Sequence, residues 1–189
     1  MEFQHSFTVT APMDRVMLQL SDVPEVAPCV PGAQITDQVD DRHYKGLVKV
    51  KLGAVQMTFR GDLELTVDQP AHKITLSGKG QETRGGSGAS GTVLAELSEN
   101  GDGSTLVSLN SRVDVSGRLA QFGRSIIPDV AGRLIKEFAA CLELKLTGPN
   151  EGHVEQPESV LDMGSVTVDV LKSRAGALGR KLTGRDPKP

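Results

Sequence analysis

Few side chains in this sequence have the types and spacing that chemistry would need. Its four histidines stand at positions 5, 43, 72 and 153, and none forms an HxxxH or HExxH pattern. No carboxylate cluster accompanies them at ligand spacing, so no metal site is expected. His5 falls on the apolar face of a strand, where it is either a core histidine or a polar contact for a ligand headgroup. His43 and His72 fall at turns. The run Arg84 to Gly91 is rich enough in glycine to suggest a phosphate loop, but it lacks the Gly-Lys-Ser/Thr ending and opens no helix. It reads instead as a bulged pair of strand ends or a mobile gate. No serine sits in GxSxG, and the expectation is that no residue is catalytic. Cys29 and Cys141 lie far apart and form no CxxC pattern. They predict neither a disulfide framework nor a thiolate zinc site, and a reducing compartment fits them best.

The elements that would position any site follow from patterning. The 189 residues suit one domain plus an appendage. With no Trp, one Tyr and five Phe, the core must be aliphatic. Twenty-one glycines and ten prolines point to many turns and a strand-rich fold. A net charge of −3, without a basic stripe among aromatics, excludes nucleic acid as an expected partner. The opening MEFQHSFTV alternates apolar and polar residues and carries no apolar signal core. No stretch approaches the roughly 18 apolar residues that cross a bilayer. The expectation is a cytoplasmic protein, peripherally associated with the cell membrane.

Phe3, His5, Phe7 and Val9 share one face of a first strand. Pro12 opens a short helix carrying Val16, Met17 and Leu20, and a second brief turn spans Val23 to Ala27. Six strands follow. Ile35 and Val39 mark the first, Tyr44, Val48, Val50 and Leu52 the next, and Val55 through Val67 a long amphipathic third. Ile74 and Leu76, then Val93, Ala95 and Leu97, then Val107 through Val115 mark the others. Their short connections imply an antiparallel meander. The period then changes to 3.6 through Leu119, Phe122, Ile126, Val130, Leu134, Phe138, Cys141 and Leu142. This predicts a helix from about Gly117 to Leu146, about 45 Å long and kinked at Pro128.

From residue 148 the composition shifts. Residues 148–165 read as a flexible acidic linker and 166–189 as a basic tail, amphipathic or disordered. In that tail Leu171, Lys172, Arg174, Leu178, Arg180, Lys181, Leu182 and Arg185 would make a thin apolar side beside a cationic one, suited to a membrane surface.

The order of elements resembles the helix-grip fold of START-like proteins, the SRPBCC superfamily. Within it the sequence is most similar to the CoxG family of carbon monoxide dehydrogenase. The residues that carry this are Cys29-Val30-Pro31-Gly32-Ala33, Tyr44-Lys45-Gly46, Lys49-Val50-Lys51-Leu52-Gly53, the run Gly85 to Gly91, and Gly117-Arg118-Leu119-Ala120-Gln121-Phe122-Gly123. The likeness covers residues 1–147, and Pro128 departs from the uninterrupted helix expected there. It implies an α+β fold in which a curved, seven-stranded antiparallel sheet wraps around a long C-terminal helix, with two short helices after the first strand. It also implies an accessory protein of a molybdenum-containing carbon monoxide dehydrogenase, which attaches that enzyme to the membrane and carries a respiratory quinone.

A sheet without large aromatics has difficulty filling the space beneath a long helix, so an apolar cavity is expected between them. Its walls would come from Met17, Val48, Met57, Phe59, Leu63, Leu76, Leu109, Phe122, Ile126, Val130, Leu134 and Phe138. His5 and Tyr44 are the headgroup candidates. The expected ligand is a menaquinone or ubiquinone, held without a covalent cofactor. Two other readings stand beside this one: a membrane-recruitment adaptor without a ligand, and a polyketide-cyclase-like enzyme. The enzyme would need acid and base groups inside the cavity, and the inward strand positions are expected to supply almost none.

Overall fold

The computed structural model describes residues 1–52, 54–121, 123–148 and 161–162. Strand β1 (Glu2–Val9) leads into helices α1 (Met13–Ser21) and α2 (Val23–Val26) and a 3-10 turn at Ala27–Cys29. Strands β2 (Ala33–Gln38), β3 (His43–Leu52), β4 (Val55–Asp68), β5 (Lys73–Glu82), β6 (Ser87–Glu99) and β7 (Thr105–Gly117) follow. Helices α3 (Arg118–Gln121) and α4 (Gly123–Thr147) come next, then a two-residue strand β8 (Leu161–Asp162). The sheet runs β1-β7-β6-β5-β4-β3-β2, antiparallel along that path. Strand β8 pairs in parallel with Val50 and Lys51 of β3. This is the expected α+β arrangement of a curved meander and a long helix.

Alternation decides the sheet's faces. Phe7, Val107, Leu97 and the residues paired with them point one way, while Glu2, Arg112 and Thr92 point the other. The Asp22 carboxylate starts α2 by accepting the Glu25 backbone N–H at 3.2 Å. Two strands are longer than the apolar pattern predicts. Strand β5 extends to Glu82 and β6 begins at Ser87, so most of the glycine-rich run is paired backbone. Backbone hydrogen bonds hold it where no side-chain alternation marks a strand. The helical stripe is also divided: β7 keeps Gly117, and α3 precedes α4. Helix α4 runs through Pro128.

The interior has two apolar clusters. The larger joins Val9, Val16, Met17, Leu65, Ile74, Val107 and Leu142, with Leu142 fully buried. The smaller consists of Leu52, Met57 and Phe59, covered by Val50, Ala89, Leu119, Ile126 and Val130. Buried Thr105 ties the sheet to the turn before α1 by donating its hydroxyl to the Ala11 carbonyl at 2.7 Å.

The cysteines depart from what their spacing suggests. Cys29 and Cys141 form a disulfide, with Cα atoms 5.4 Å apart across a sequence separation of 112. Spacing along the chain carries no information about a pairing that the fold creates. The 3-10 turn bearing Cys29 packs on the last turns of α4, and each sulfur meets the other there. A reducing compartment, expected on the ground of unpaired cysteines, therefore loses its basis.

Candidate functional site

The C-terminal end of α4 is firmly anchored. Cys141 is bonded to Cys29, Leu142 and Leu146 are buried, and Glu143 accepts the Thr10 backbone N–H at 2.8 Å. Lys145 reaches Glu25 of α2 at 3.4 Å. The rest of the helix is different. Ile126, Ile127, Val130, Ala131, Leu134, Ile135 and Phe138 are all only half-buried. An apolar stripe that is neither sealed nor solvated polar surface makes a seam along which an apolar ligand could complete the burial.

Facing this helix, the sheet has an unusual centre. Gly46 pairs with Gly61, and Gly61 with Gly80, across three neighbouring strands. Gly78 pairs with Gly91 beside them. A Cβ on Gly61 would lie 2.0 Å from the Lys79 carbonyl oxygen. So close an approach marks the line along which the sheet curls. The same line is bare of side chains, and the small apolar cluster lies towards one end of it. Isolated glycines inside strand patterns are the signal that the sequence carries. Their alignment into a band appears only in the register.

The expected wall residues divide between the two clusters. Met17 and Leu109 are buried in the larger, with Leu63, Leu76 and Phe138 packed against it. Phe138 meets Phe7 edge-on, ring centroids 6.3 Å apart. Met57 and Phe59 form the smaller cluster with Ile126 and Val130 against it. Val48 and Leu134 are half-buried. Phe122 lies outside the described residues, as do the membrane-binding candidates of the tail and most of the linker.

His5 is half-buried on the inward face of β1, and a Cβ on Gly132 of α4 would sit 3.8 Å from its Nε2. The imidazole thus lies beneath α4, within van der Waals reach of a side chain at this helix position. Tyr44 is buried, but its hydroxyl donates to the Asp41 carbonyl at 3.1 Å. Burial, then the nearby Asp22, Asp41 and Asp40, push its phenol up, so it stays protonated. Its donor is committed to the β2–β3 turn.

One inward polar group is absent from the residues expected at the site. Glu82 follows Leu76, Gly78 and Gly80 on the inward side of β5, opposite Phe59. Its side chain is 3% exposed, and one carboxylate oxygen accepts from the Arg118 guanidinium at 2.8 Å. Arg118 also donates its backbone N–H to Gly86. Gly117 makes this junction possible: its φ is +68°, and a Cβ there would collide with the Gly86 carbonyl. A charged residue at an inward position of the alternation is the signal that could have found it.

The outward face carries a hollow of about 680 Å³ lined by Lys45, Asp62, Lys79, Ser90, Arg112 and Asp114 among others. Polar and charged residues stand among its lining with Val39 and Leu63, and it lies across the sheet from α4. Among the described residues no group of three His, Cys, Asp or Glu side chains could hold a metal ion. Among them too, no helix is long and apolar enough to cross a membrane.

Comparison with known proteins follows the same lines. The family model for the carbon monoxide dehydrogenase subunit CoxG matches residues 6–147. No curated protein matches the sequence. A conserved protein of Geobacillus kaustophilus has a similar structure, with TM-score 0.70 and 19% identity, over 77% of this chain and 95% of the other. A START superfamily protein of Mycobacterium smegmatis gives TM-score 0.53 and 16% identity, over 77% and 96%. An aromatase/cyclase of a Streptomyces species gives 0.55 and 16%, over 80% and 99%. At such identities these likenesses establish the START-like fold.

Proposed function

The chain belongs to the CoxG family of carbon monoxide dehydrogenase, and we propose that it serves such an enzyme, one containing molybdenum, as a non-catalytic accessory protein that holds a respiratory quinone. The observation carrying this reading is the half-buried apolar stripe of α4 over a sheet whose centre is bare glycine. A prenyl chain laid along the seam would remove apolar surface from water at about 25 cal/mol per Å², before ordering costs. His5, beneath Gly132, is the candidate to orient a ring carbonyl. Ligand loading would link the dehydrogenase to the electron-transport chain, with the basic tail holding the complex at the membrane surface.

Native mass spectrometry with organic extraction tests the ligand, using protein purified without detergent from a quinone-producing host. Near-stoichiometric menaquinone or ubiquinone is expected. A clean apo mass, unchanged after incubation with both quinones, would overturn the carrier reading and favour recruitment alone. The tail is tested separately. Each basic residue near an anionic surface contributes about 1 kcal/mol, so deleting residues 166–189 should abolish cosedimentation with phosphatidylglycerol vesicles. Retained binding would place membrane contact elsewhere.

A further inference from the structure

Glu82 has a second carboxylate oxygen that the fold leaves unused. Oε1 accepts from Arg118, whose guanidinium also reaches the Gly85 carbonyl at 3.4 Å. Oε2 is buried and has no hydrogen-bond partner among the described residues. A clamp between the β5–β6 hairpin and α3 needs only the first oxygen. Burying the second without a donor is costly, and folded proteins rarely leave such a group unsatisfied. Its surroundings are mixed: Phe59 stands opposite in register, within the small cluster that Leu119 and Ile126 cover, while Gln56, Thr58, Thr83 and Arg84 line a polar recess that Glu82 also borders. An acceptor without a donor at the edge of an apolar cluster fits a flat ring bearing a hydroxyl.

We infer that Glu82 is the polar anchor of the ligand site and accepts a hydrogen bond from a ring hydroxyl, so that the protein holds a quinol in preference to its quinone. This rests on the proposed quinone-carrier function and adds the redox form to it. The two forms differ in the property that matters here: a quinol presents O–H donors, whereas a quinone presents only carbonyl acceptors. A carbonyl placed against Oε2 would set lone pairs against a negative charge. Arg118 keeps the carboxylate oriented, and it is a positioning residue because it acts through Glu82.

The test is anaerobic titration calorimetry of the full chain with a methylnaphthoquinone bearing one prenyl unit, in its reduced and oxidised forms. A hydrogen bond to a charged acceptor should favour the quinol about tenfold to a hundredfold. The wild-type comparison needs no variant and so cannot fail through misfolding. In Glu82→Gln the amide oxygen can still accept from Arg118, while the amide nitrogen replaces Oε2 with a donor. That variant should lose the preference or invert it, which a purely structural clamp would not do. Equal wild-type affinity for both forms would overturn the inference and leave the carrier function standing. Binding of neither form would overturn both.

Discussion

Gly61→Ala is expected to destabilise the domain by at least about 3 kcal/mol, or to prevent folding, because its new methyl would lie against backbone. The nearest atom is the Lys79 carbonyl oxygen at 2.0 Å, with the Gly80 Cα at 2.8 Å. Neither is the end of a flexible side chain, so relief requires moving β5 away from β4. That movement would open the curl of the sheet and break the pairing of Gly61 with Gly80. Gly101→Ala is the control. It lies in the turn before β7 with no atom within 4 Å of the added methyl, and should stay within about 0.5 kcal/mol of wild type. Urea unfolding followed by circular dichroism measures both. Equal midpoints for the two variants would show that the glycine band does not set the curvature.

The second large effect is expected at the disulfide. Removing it in Cys141→Ser should cost the oxidised protein about 2–4 kcal/mol, because the bond closes a long loop and restricts the unfolded chain. The loop spans a sequence separation of 112, from the turn before β2 to the end of α4. The same bond holds the anchored end of the helix, beside Leu142 and Glu143. Wild-type protein treated with dithiothreitol should fall to the variant's urea midpoint, and the variant itself should not respond to reductant. A wild-type midpoint indifferent to reductant would remove the disulfide from the stability of this fold.

The two effects act on the same seam from opposite sides. The glycine band shapes the sheet wall, and the disulfide fixes the helix that faces it. Between them lie the half-buried residues from Ile126 to Phe138. The family match supports an accessory role. Extraction and titration test the proposed ligand, and its two proposed anchors, His5 and Glu82, are each testable by a single substitution.

Element order and sheet arrangement are legible in the residues alone. Period-two alternation in β1, β4 and β7 and period 3.6 after Gly117 are local properties, set by which face each side chain must bury. Joined by short turns, β2 to β7 have little choice but to pair with their neighbours, whereas the pairing of β1 with β7 is made by the folded chain. Motifs spread over residues 29 to 123 are also enough to reveal the family. Whatever depends on distant residues meeting had to wait for the folded chain. The fold pairs Cys29 with Cys141, since spatial approach cannot be read from a separation of 112. It aligns Gly46, Gly61 and Gly80, since register is a relation between strands and not a property of one. It splits one expected apolar wall into two clusters along that glycine line. It commits the Tyr44 hydroxyl to Asp41 and leaves a buried oxygen of Glu82 without a donor among the described residues. Hydrogen-bond satisfaction depends on three-dimensional neighbours, and only the folded chain supplies them.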